Sequence, residues 1–232
     1  MTTLRDKSGL LEVTIFVVFA LTTKALALQW TPKYAGPVTL LLTLALLTGY
    51  LHRQGKTWKH YGLKPLTGLK AKLLVLPQAI LVSICFAISV GSVIALANAF
   101  EISALLQVSE GVESRFGGVR GNLPNFIMWL GIIWVSAAFG EEMFFRGYLV
   151  TRLQEVLPST RLATVLAVLI PALIFGYGHY DYQGIRGLVM TGMIGIAFGA
   201  SYLLLKKSLW PIILVHGAMD SIAFTALYLG AD

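Results

Sequence analysis

The stretch Phe139–Gly147, F-G-E-E-M-F-F-R-G, places two carboxylates and an arginine inside a run that is otherwise apolar enough to cross a bilayer. An ionisable side chain at membrane depth costs at least about 2.5–3.5 kcal/mol to insert, so such a group of charges indicates a function. On an α-helix Glu142 and Arg146 are four residues apart on one face, which predicts an ion pair between them. Glu141 is turned about 100° away from Glu142 and has no local partner.

The composition of the whole chain is that of an integral membrane protein. Hydrophobic residues make up 56% of the sequence, charged residues only 12%, and the mean hydropathy is +0.76. No segment is long and polar enough to form a separate soluble domain. The predicted fold is therefore all-α, a single polytopic bundle of transmembrane helices over residues 1–232, with the lipid bilayer as its surroundings.

Runs of apolar residues near or above the roughly 20 residues that a helix needs to cross a bilayer predict about seven spans. They cover residues 10–28, 36–51, 73–99, 124–153, 162–179, 187–205 and 209–229. The first three spans and their loops occupy residues 1–123, and the last four occupy residues 124–229. The connection from Glu101 to Leu123 carries glutamates among glycines and serines, and it is predicted to be flexible, without a fold or function of its own.

The basic residues of the loops predict the orientation of the bundle. The net charge of +7 comes mainly from lysines and arginines in short loops, which indicates membrane topology and predicts no nucleic-acid partner. One set of loops carries Arg5, Lys7, Arg53, Lys56, Lys59, Lys64, Lys70, Lys72, Arg152, Arg161, Lys206 and Lys207. The opposite set carries Lys33, Arg115, Arg120 and Arg186. The positive-inside rule therefore predicts a cytoplasmic N-terminus and a C-terminus on the outside.

Two histidines, His179 and His216, fall at the predicted depth of the membrane. With a rise of 1.5 Å per residue, His179 lies level with Glu141 to within about one turn, while His216 approaches from lower in the bilayer. Asp220 follows His216 by four residues and Phe175 precedes His179 by four, so each pair shares a helix face. The sequence thus predicts one cluster of ionisable groups inside the C-terminal helices.

Three motifs in this half of the chain resemble the CAAX protease and bacteriocin-processing (CPBP, or Abi) family of intramembrane proteases. They are E-E-M-F-F-R at 141–146, F-G-Y-G-H at 175–179 and H-G-A-M-D at 216–220. The resemblance covers about residues 124–225, and it implies that 124–229 is a catalytic core. It also implies cleavage of a membrane-associated or lipidated peptide or protein, as in CAAX processing. Asp220 stands where the prenyl-protein peptidases of the family carry asparagine.

Two mechanisms remain open for such a hydrolase. In the first, Glu141 acts as general base on a water that His179 also holds, His216 stabilises the oxyanion, and Asp220 orients His216, with no cofactor required. Glu142, Arg146 and Phe175 then support the site. In the second, a Zn²⁺ ion is bound by Glu141, His179 and His216, as in a catalytic two-histidine, one-carboxylate site, and the remaining glutamate activates the metal-bound water.

Two functions other than proteolysis also fit a membrane bundle with buried charges. A proton-coupled transporter uses chains of glutamates and histidines, but it predicts a polar path that reaches both sides of the membrane. A scaffold protein uses buried ion pairs only to hold helices together. The convergence of the polar residues at one place favours the endopeptidase.

Overall fold

A computed structural model describes residues 7–230, and within them the chain is entirely helical, with no strand. The helices are α1 (Lys7–Trp30), α2 (Ala35–Arg53), α3 (Gly68–Ala99), α4 (Ser103–Leu106), α5 (Glu110–Phe116), α6 (Leu123–Ile132), a π segment (Ile133–Val150), α7 (Thr151–Val156), α8 (Arg161–Tyr177), α9 (Tyr180–Leu204) and α10 (Trp210–Leu229). Arg5, which was used for the orientation, lies outside the described residues.

Among the described residues six helices are long and apolar enough to cross a membrane, and α8 is a shorter apolar helix. These seven segments coincide with the seven predicted spans, so the predicted fold class is confirmed. The fourth span is a continuous run of 34 residues, Leu123–Val156, in which α6, the π segment and α7 follow one another without a break. The chain is therefore a multi-pass membrane protein.

The centre of the fourth span is wound as a π-helix, whereas the sequence predicted an α-helix. In a π-helix each backbone N–H donates to the carbonyl five residues earlier, and such windings occur most often at functional sites. The π segment includes the whole of Phe139–Gly147 and packs against α2, α6, α8 and α10. Because residues four apart still lie on nearly one face, the wider winding preserves the predicted pairing of Glu142 with Arg146.

Glycines allow α8 and α9 to approach each other closely. A Cβ added at Gly195 would lie 2.9 Å from the Cα of Ala172, and one added at Gly199 would lie 2.8 Å from a methyl of Val168. Close approach of this kind is how helices pack in lipid, where burial of apolar surface gives no advantage. This close approach fixes the position of α9 against α8.

The connection between α3 and α6 has a fold of its own, so the prediction of a structureless loop was wrong. Ser109 caps α5, accepting a hydrogen bond from the backbone N–H of Gly111 at 3.3 Å. α5 then packs directly on the start of α9, where a Cβ added at Gly111 would lie 2.5 Å from the carbonyl oxygen of Tyr182. The tertiary contact, which the local sequence does not encode, holds this connection in place.

A group of polar side chains, here called the anchor cluster, ties α1 to the end of the fourth span. Glu12 accepts hydrogen bonds from Arg152 at 3.0 Å and 3.2 Å, from Tyr148 at 2.9 Å and from Tyr50 at 3.2 Å. Arg152 also donates to Glu155 at 3.1 Å. Both oxygens of Glu12 therefore have partners, although the sequence analysis gave Glu12 no role.

Candidate active site

Glu142, Arg146 and His216 form a buried group, here called the site cluster. Glu142 Oε1 accepts a hydrogen bond from Arg146 Nη1 at 2.8 Å, as the spacing predicted. The same oxygen lies 2.7 Å from His216 Nδ1, which α10 brings across from 74 residues away in the chain. The side chains of Glu142 and Arg146 are 0% and 2% exposed. Glu142 is therefore a contact between two helices as well as half of a local ion pair.

Aromatic rings enclose the arginine of the site cluster. The guanidinium carbon of Arg146 lies 4.4 Å from the ring centre of Phe175 and 5.2 Å from that of Phe198. A guanidinium close to a ring face is attracted by the ring quadrupole, most strongly where water is absent. Phe175 thus supports the site by stacking on Arg146, and its ring also lies 6.4 Å from that of His216.

The two nitrogens of His216 face different carboxylates. Nδ1 bonds to Glu142, whereas Nε2 lies 3.8 Å from Glu141 Oε2 and 3.5 Å from Asp220 Oδ2. Because a carboxylate oxygen accepts, the short contact assigns a hydrogen to Nδ1 and fixes the ring orientation. The sequence analysis gave the orienting role to Asp220, but the shorter contact is with Glu142, so Glu142 is the better placed orienter.

α8 ends at Tyr177 and is followed by its C-cap, Gly178. His179 is the next residue and directly precedes α9, which begins at Tyr180. Its Nδ1 lies 2.8 Å from the carbonyl oxygen of Phe175 and must donate to it, because a carbonyl only accepts. In the neutral ring Nε2 is then an acceptor. The sequence predicted His179 at the end of the fifth span. In the structure the residue lies in the connection between α8 and α9, and the last turn of α8 holds its side chain.

Glu141, His179, His216 and Asp220 all line one cavity of ≈ 370 Å³. Glu141 Oε2 is buried and has no hydrogen-bond partner within residues 7–230. A buried acceptor without a partner is costly, and such groups in a cavity are candidates for function. The structure thus brings the four residues predicted to be catalytic to one space.

A smaller apolar pocket of ≈ 80 Å³ reaches the same residues from another direction. It lies among α1, α2, α8 and the π segment, and it includes Glu141 and His179 together with Leu21, Leu40 and Ile174. Side chains of this kind select an apolar group. Glu141 and His179 therefore border both an apolar pocket and the larger, more polar cavity.

The sequence analysis missed Lys24, which lies inside the first predicted span. Its Nζ lies 2.5 Å from Asp181 Oδ1 and also donates to the carbonyl oxygen of Gly178. Lys24 thereby fixes α1 to the connection that carries His179, and it lines both the pocket and the cavity. A lysine within an apolar span was the signal that could have identified it.

The predicted zinc ligands do not form a metal cage as they stand. Within residues 7–230 no group of three or more histidine, cysteine, aspartate or glutamate side chains has the arrangement of a metal site. A resident Zn²⁺ ion held by Glu141, His179 and His216 would therefore require these side chains to move closer together.

The C-terminal part of the chain has a match among known families. Residues 123–222 match the family model for Rce1-like proteins, described as type II CAAX prenyl endopeptidase Rce1-like. The matched region contains every predicted site residue from Glu141 to Asp220, and the match confirms the resemblance to the CPBP family. No curated protein and no solved structure gives a significant match.

Proposed function

Because residues 123–222 match the family model for Rce1-like type II CAAX prenyl endopeptidases, we propose that this protein hydrolyses a peptide bond and that Glu141 activates the water for this reaction. The match supports a protease, an intramembrane endopeptidase of the CAAX type. The observation that carries the proposal is the buried Oε2 of Glu141, which lacks a hydrogen-bond partner among the described residues and belongs to a side chain that lines the same cavity as His179 and His216.

The water is held by two acceptors. Glu141 Oε2 and His179 Nε2 each accept one of its hydrogens, because Nδ1 of His179 is already committed to the carbonyl of Phe175. The lone pairs of the water oxygen are then directed at the substrate carbonyl. As the new C–O bond forms, Glu141 takes a proton from the water, and it passes this proton to the leaving nitrogen when the C–N bond breaks.

His216 stabilises the oxyanion that develops on the carbonyl oxygen. Its Nδ1 is fixed by Glu142, so a protonated Nε2 is directed towards the space beside Glu141 and Asp220. A preorganised donor of this kind contributes about 10²–10³ in rate. Asp220 accepts from Nε2 in the resting enzyme and releases it when the oxyanion forms. An ionised Asp220 cannot itself donate to the oxyanion, unlike the asparagine of related peptidases.

The substrate is a membrane-associated or lipidated peptide or protein. The apolar pocket beside Glu141 and His179 takes an apolar group next to the scissile bond. The chain that continues into the larger cavity meets polar side chains. A substrate that combines an apolar anchor with an extended peptide fits both spaces.

The test is cleavage of membrane-anchored peptides by the protein reconstituted in liposomes. Glu141→Gln keeps the size of the side chain but removes the base, and it is expected to lower kcat about 10²–10⁴-fold. His216→Gln is expected to lower kcat about 10²–10³-fold. Glu101→Gln, in the connection after α3, is the matched control and should retain wild-type turnover. Undiminished cleavage by Glu141→Gln would overturn the proposal.

No cofactor is required in this reaction, and chelation tests that statement. Turnover should survive treatment with a metal chelator, and the purified protein should contain no stoichiometric zinc. Stoichiometric zinc whose removal abolishes turnover would instead assign Glu141, His179 and His216 to a metal site that forms by rearrangement.

The orientation proposed from the loop charges is a cytoplasmic N-terminus and an outer C-terminus. Single cysteines can report it, because Cys85 is the sole cysteine of the chain and Cys85→Ser provides the background. Lys59→Cys should react only with a reagent that enters the cytoplasm, and Glu113→Cys should react with an impermeant reagent. Labelling of both from the same side would contradict the seven-span topology.

A further inference from the structure

Three basic connections of the chain meet on one face of the bundle. His60 Nε2 donates to Glu155 Oε1 at 2.6 Å, which joins the connection after α2 to α7. Lys64 Nζ donates to the carbonyl oxygen of Lys206 at 2.7 Å, which joins the same connection to the one between α9 and α10. Cationic side chains are therefore concentrated on this face.

A polar cavity of ≈ 550 Å³ lies on this face, where membrane-spanning helices begin and end. It is lined by the end of α7, the start of α8 and Lys207 of the α9–α10 connection. The indole N–H of Trp210, the first residue of α10, donates to the carbonyl oxygen of Lys64 at 2.7 Å. Tryptophan is enriched at the level of the lipid head groups, so this cavity lies at the membrane surface. None of its lining residues lines the active-site cavity or the apolar pocket within residues 7–230.

Two cationic side chains of this cavity have no matching anion. Within residues 7–230 neither Arg161 nor Lys207 forms an ion pair. Lys207 is half-buried, and burial lowers the pKa of its ammonium group, because the charge is stabilised less away from water. An anion bound in the cavity would offset this cost.

Glu155, the acidic side chain among the residues that line the cavity, is already occupied. Its Oε1 accepts from His60 at 2.6 Å, and its Oε2 accepts from Arg152 at 3.1 Å. Both oxygens thus have cationic or polar donors from outside the cavity. Arg161 and Lys207 therefore remain available to a ligand.

The backbone holds Lys207 in a conformation that non-glycine residues rarely adopt. Lys206 and Lys207 have φ angles of 53° and 60°, in the left-handed region. The N–H of Lys207 donates to the carbonyl oxygen of Tyr202 at 2.8 Å, and that of Leu209 donates to Gly62 at 3.1 Å, so both ends of this turn are fixed. Strained backbone of this kind is concentrated at ligand and switch sites, and here it brings Lys207 to the start of α8.

We propose that Arg161 and Lys207 form a site for the phosphate of an anionic phospholipid head group. A guanidinium can donate two parallel hydrogen bonds to phosphate oxygens, and an ammonium group binds them as a point charge. The positive end of the α8 dipole adds to the attraction, because α8 begins at Arg161. Basic pockets between transmembrane helices are a common form of head-group site.

A lipid fits this cavity better than a soluble phosphate, because apolar helix surface adjoins it. Leu162 and Val165 follow Arg161 on α8, and both side chains are exposed. The acyl chains of a lipid whose phosphate is bound at Arg161 can lie along this surface. The bound lipid joins the start of α8 to the connection before α10, and the inference does not rest on the proposed function.

The first experiment measures lipid binding to the full-length protein in neutral detergent after removal of native lipid. Phosphatidylglycerol and phosphatidylcholine with the same acyl chains are titrated, and bound lipid is counted by native mass spectrometry. Phosphatidylglycerol should bind about 10–25-fold more tightly, because each lysine or arginine near an anionic lipid contributes about fivefold. Equal binding of the two lipids would overturn the site.

Variants separate this cavity from general attraction to a basic surface. Arg161→Gln and Lys207→Gln should each lower the preference for phosphatidylglycerol about fivefold. Arg53→Gln, the matched control, removes one charge near the same face but outside the cavity, and it should change the preference less than twofold. Equal losses in the three variants would mean diffuse attraction and overturn the site.

Two further measurements keep the result specific. Thermal unfolding in neutral detergent identifies any variant that fails to fold, and Lys207→Arg, which retains the charge, should retain most of the preference. Glycerol phosphate carries the phosphate without acyl chains, and at equal concentration it should not displace phosphatidylglycerol. Displacement would assign the cavity to a soluble phosphate and overturn the lipid site.

None of these measurements depends on cleavage. A preference for phosphatidylglycerol that requires Arg161 and Lys207 would support the lipid site even in a protein whose cleavage does not need Glu141. Loss of cleavage in Glu141→Gln together with equal binding of the two lipids would support the proposed function and overturn the lipid site.

Discussion

The continuous helix Leu123–Val156 contributes to two clusters of paired charges, the site cluster and the anchor cluster, which differ in how fully their polar atoms are bonded. In the anchor cluster both oxygens of Glu12 accept hydrogen bonds, and Arg152 binds two carboxylates. In the site cluster Glu142 Oε2 and Arg146 Nη2 are buried without a partner in residues 7–230. Both clusters pair a glutamate with an arginine, but both oxygens of the glutamate are hydrogen-bonded only in the anchor cluster.

This difference separates a structural ion pair from a functional one. A buried charge is stable when each of its polar atoms is bonded, and the anchor cluster meets that condition. The site cluster meets it only in part, because Glu142 divides Oε1 between Arg146 and His216. We interpret its incomplete bonding as the cost of holding His216 at a cavity where substrate enters.

The largest effect is expected from Glu142→Gln, which removes the one carboxylate that is bonded to Arg146 within residues 7–230. Breaking a buried pair from one side leaves an uncompensated charge, so the free energy of unfolding should fall by about 3–5 kcal/mol. Cleavage should also fall, because a neutral amide oxygen is a weaker acceptor for His216 Nδ1 than the carboxylate oxygen. Unfolding in detergent and peptide cleavage measure the two effects. Wild-type stability would show that Arg146 has another partner.

A smaller effect is expected from Glu12→Gln in the anchor cluster. Arg152 keeps its bond to Glu155, so no charge is left alone, and the loss should be about 1.5–3 kcal/mol, as for hydrogen bonds to a charged group. At temperatures where the variant is folded, kcat should stay within about twofold of wild type. A collapse of kcat without a loss of stability would mean that the anchor cluster takes part in the reaction.

The smallest effect is expected from Arg146→Lys, which retains the charge but changes the group between Phe175 and Phe198. A double-mutant cycle with Phe175→Leu should give a coupling energy of about 0.5–2 kcal/mol, the range for a cation beside an aromatic ring. The same cycle with Arg152→Lys serves as the control and should be additive. Coupling of equal size in both cycles would mean that Phe175 acts through the whole helix and not through Arg146.

Much of the fold was predictable because lipid imposes strong rules on sequence. A helix that crosses a bilayer needs a long apolar run, so the seven segments could be marked from composition alone. The α5 region was not predictable in this way. Its polar and glycine-rich sequence is typical of a loop, and packing against Tyr182 on α9 stabilises it as a helix together with the Ser109 cap.

The candidate site was predictable where its contacts are local. The pairing of Glu142 with Arg146 follows from their spacing, and the bond from His179 to the carbonyl of Phe175 follows the same interval. The contact between Glu142 and His216 joins two helices 74 residues apart, and that between Lys24 and Asp181 spans 157 residues. No periodicity in the sequence encodes the rotation of one helix against another.

The sequence by itself determined that this protein is a helical membrane bundle and which ionisable groups lie in it, because each charge in an apolar run is visible without coordinates. Only the tertiary structure decided how those charges divide their partners. The π winding and the packing of α10 direct His216 to Glu142 and leave Glu141 facing the cavity. The spacing to Arg146 already distinguished Glu142 from Glu141 in the sequence, whereas the contact by which Glu142 orients His216 is a property of helix packing.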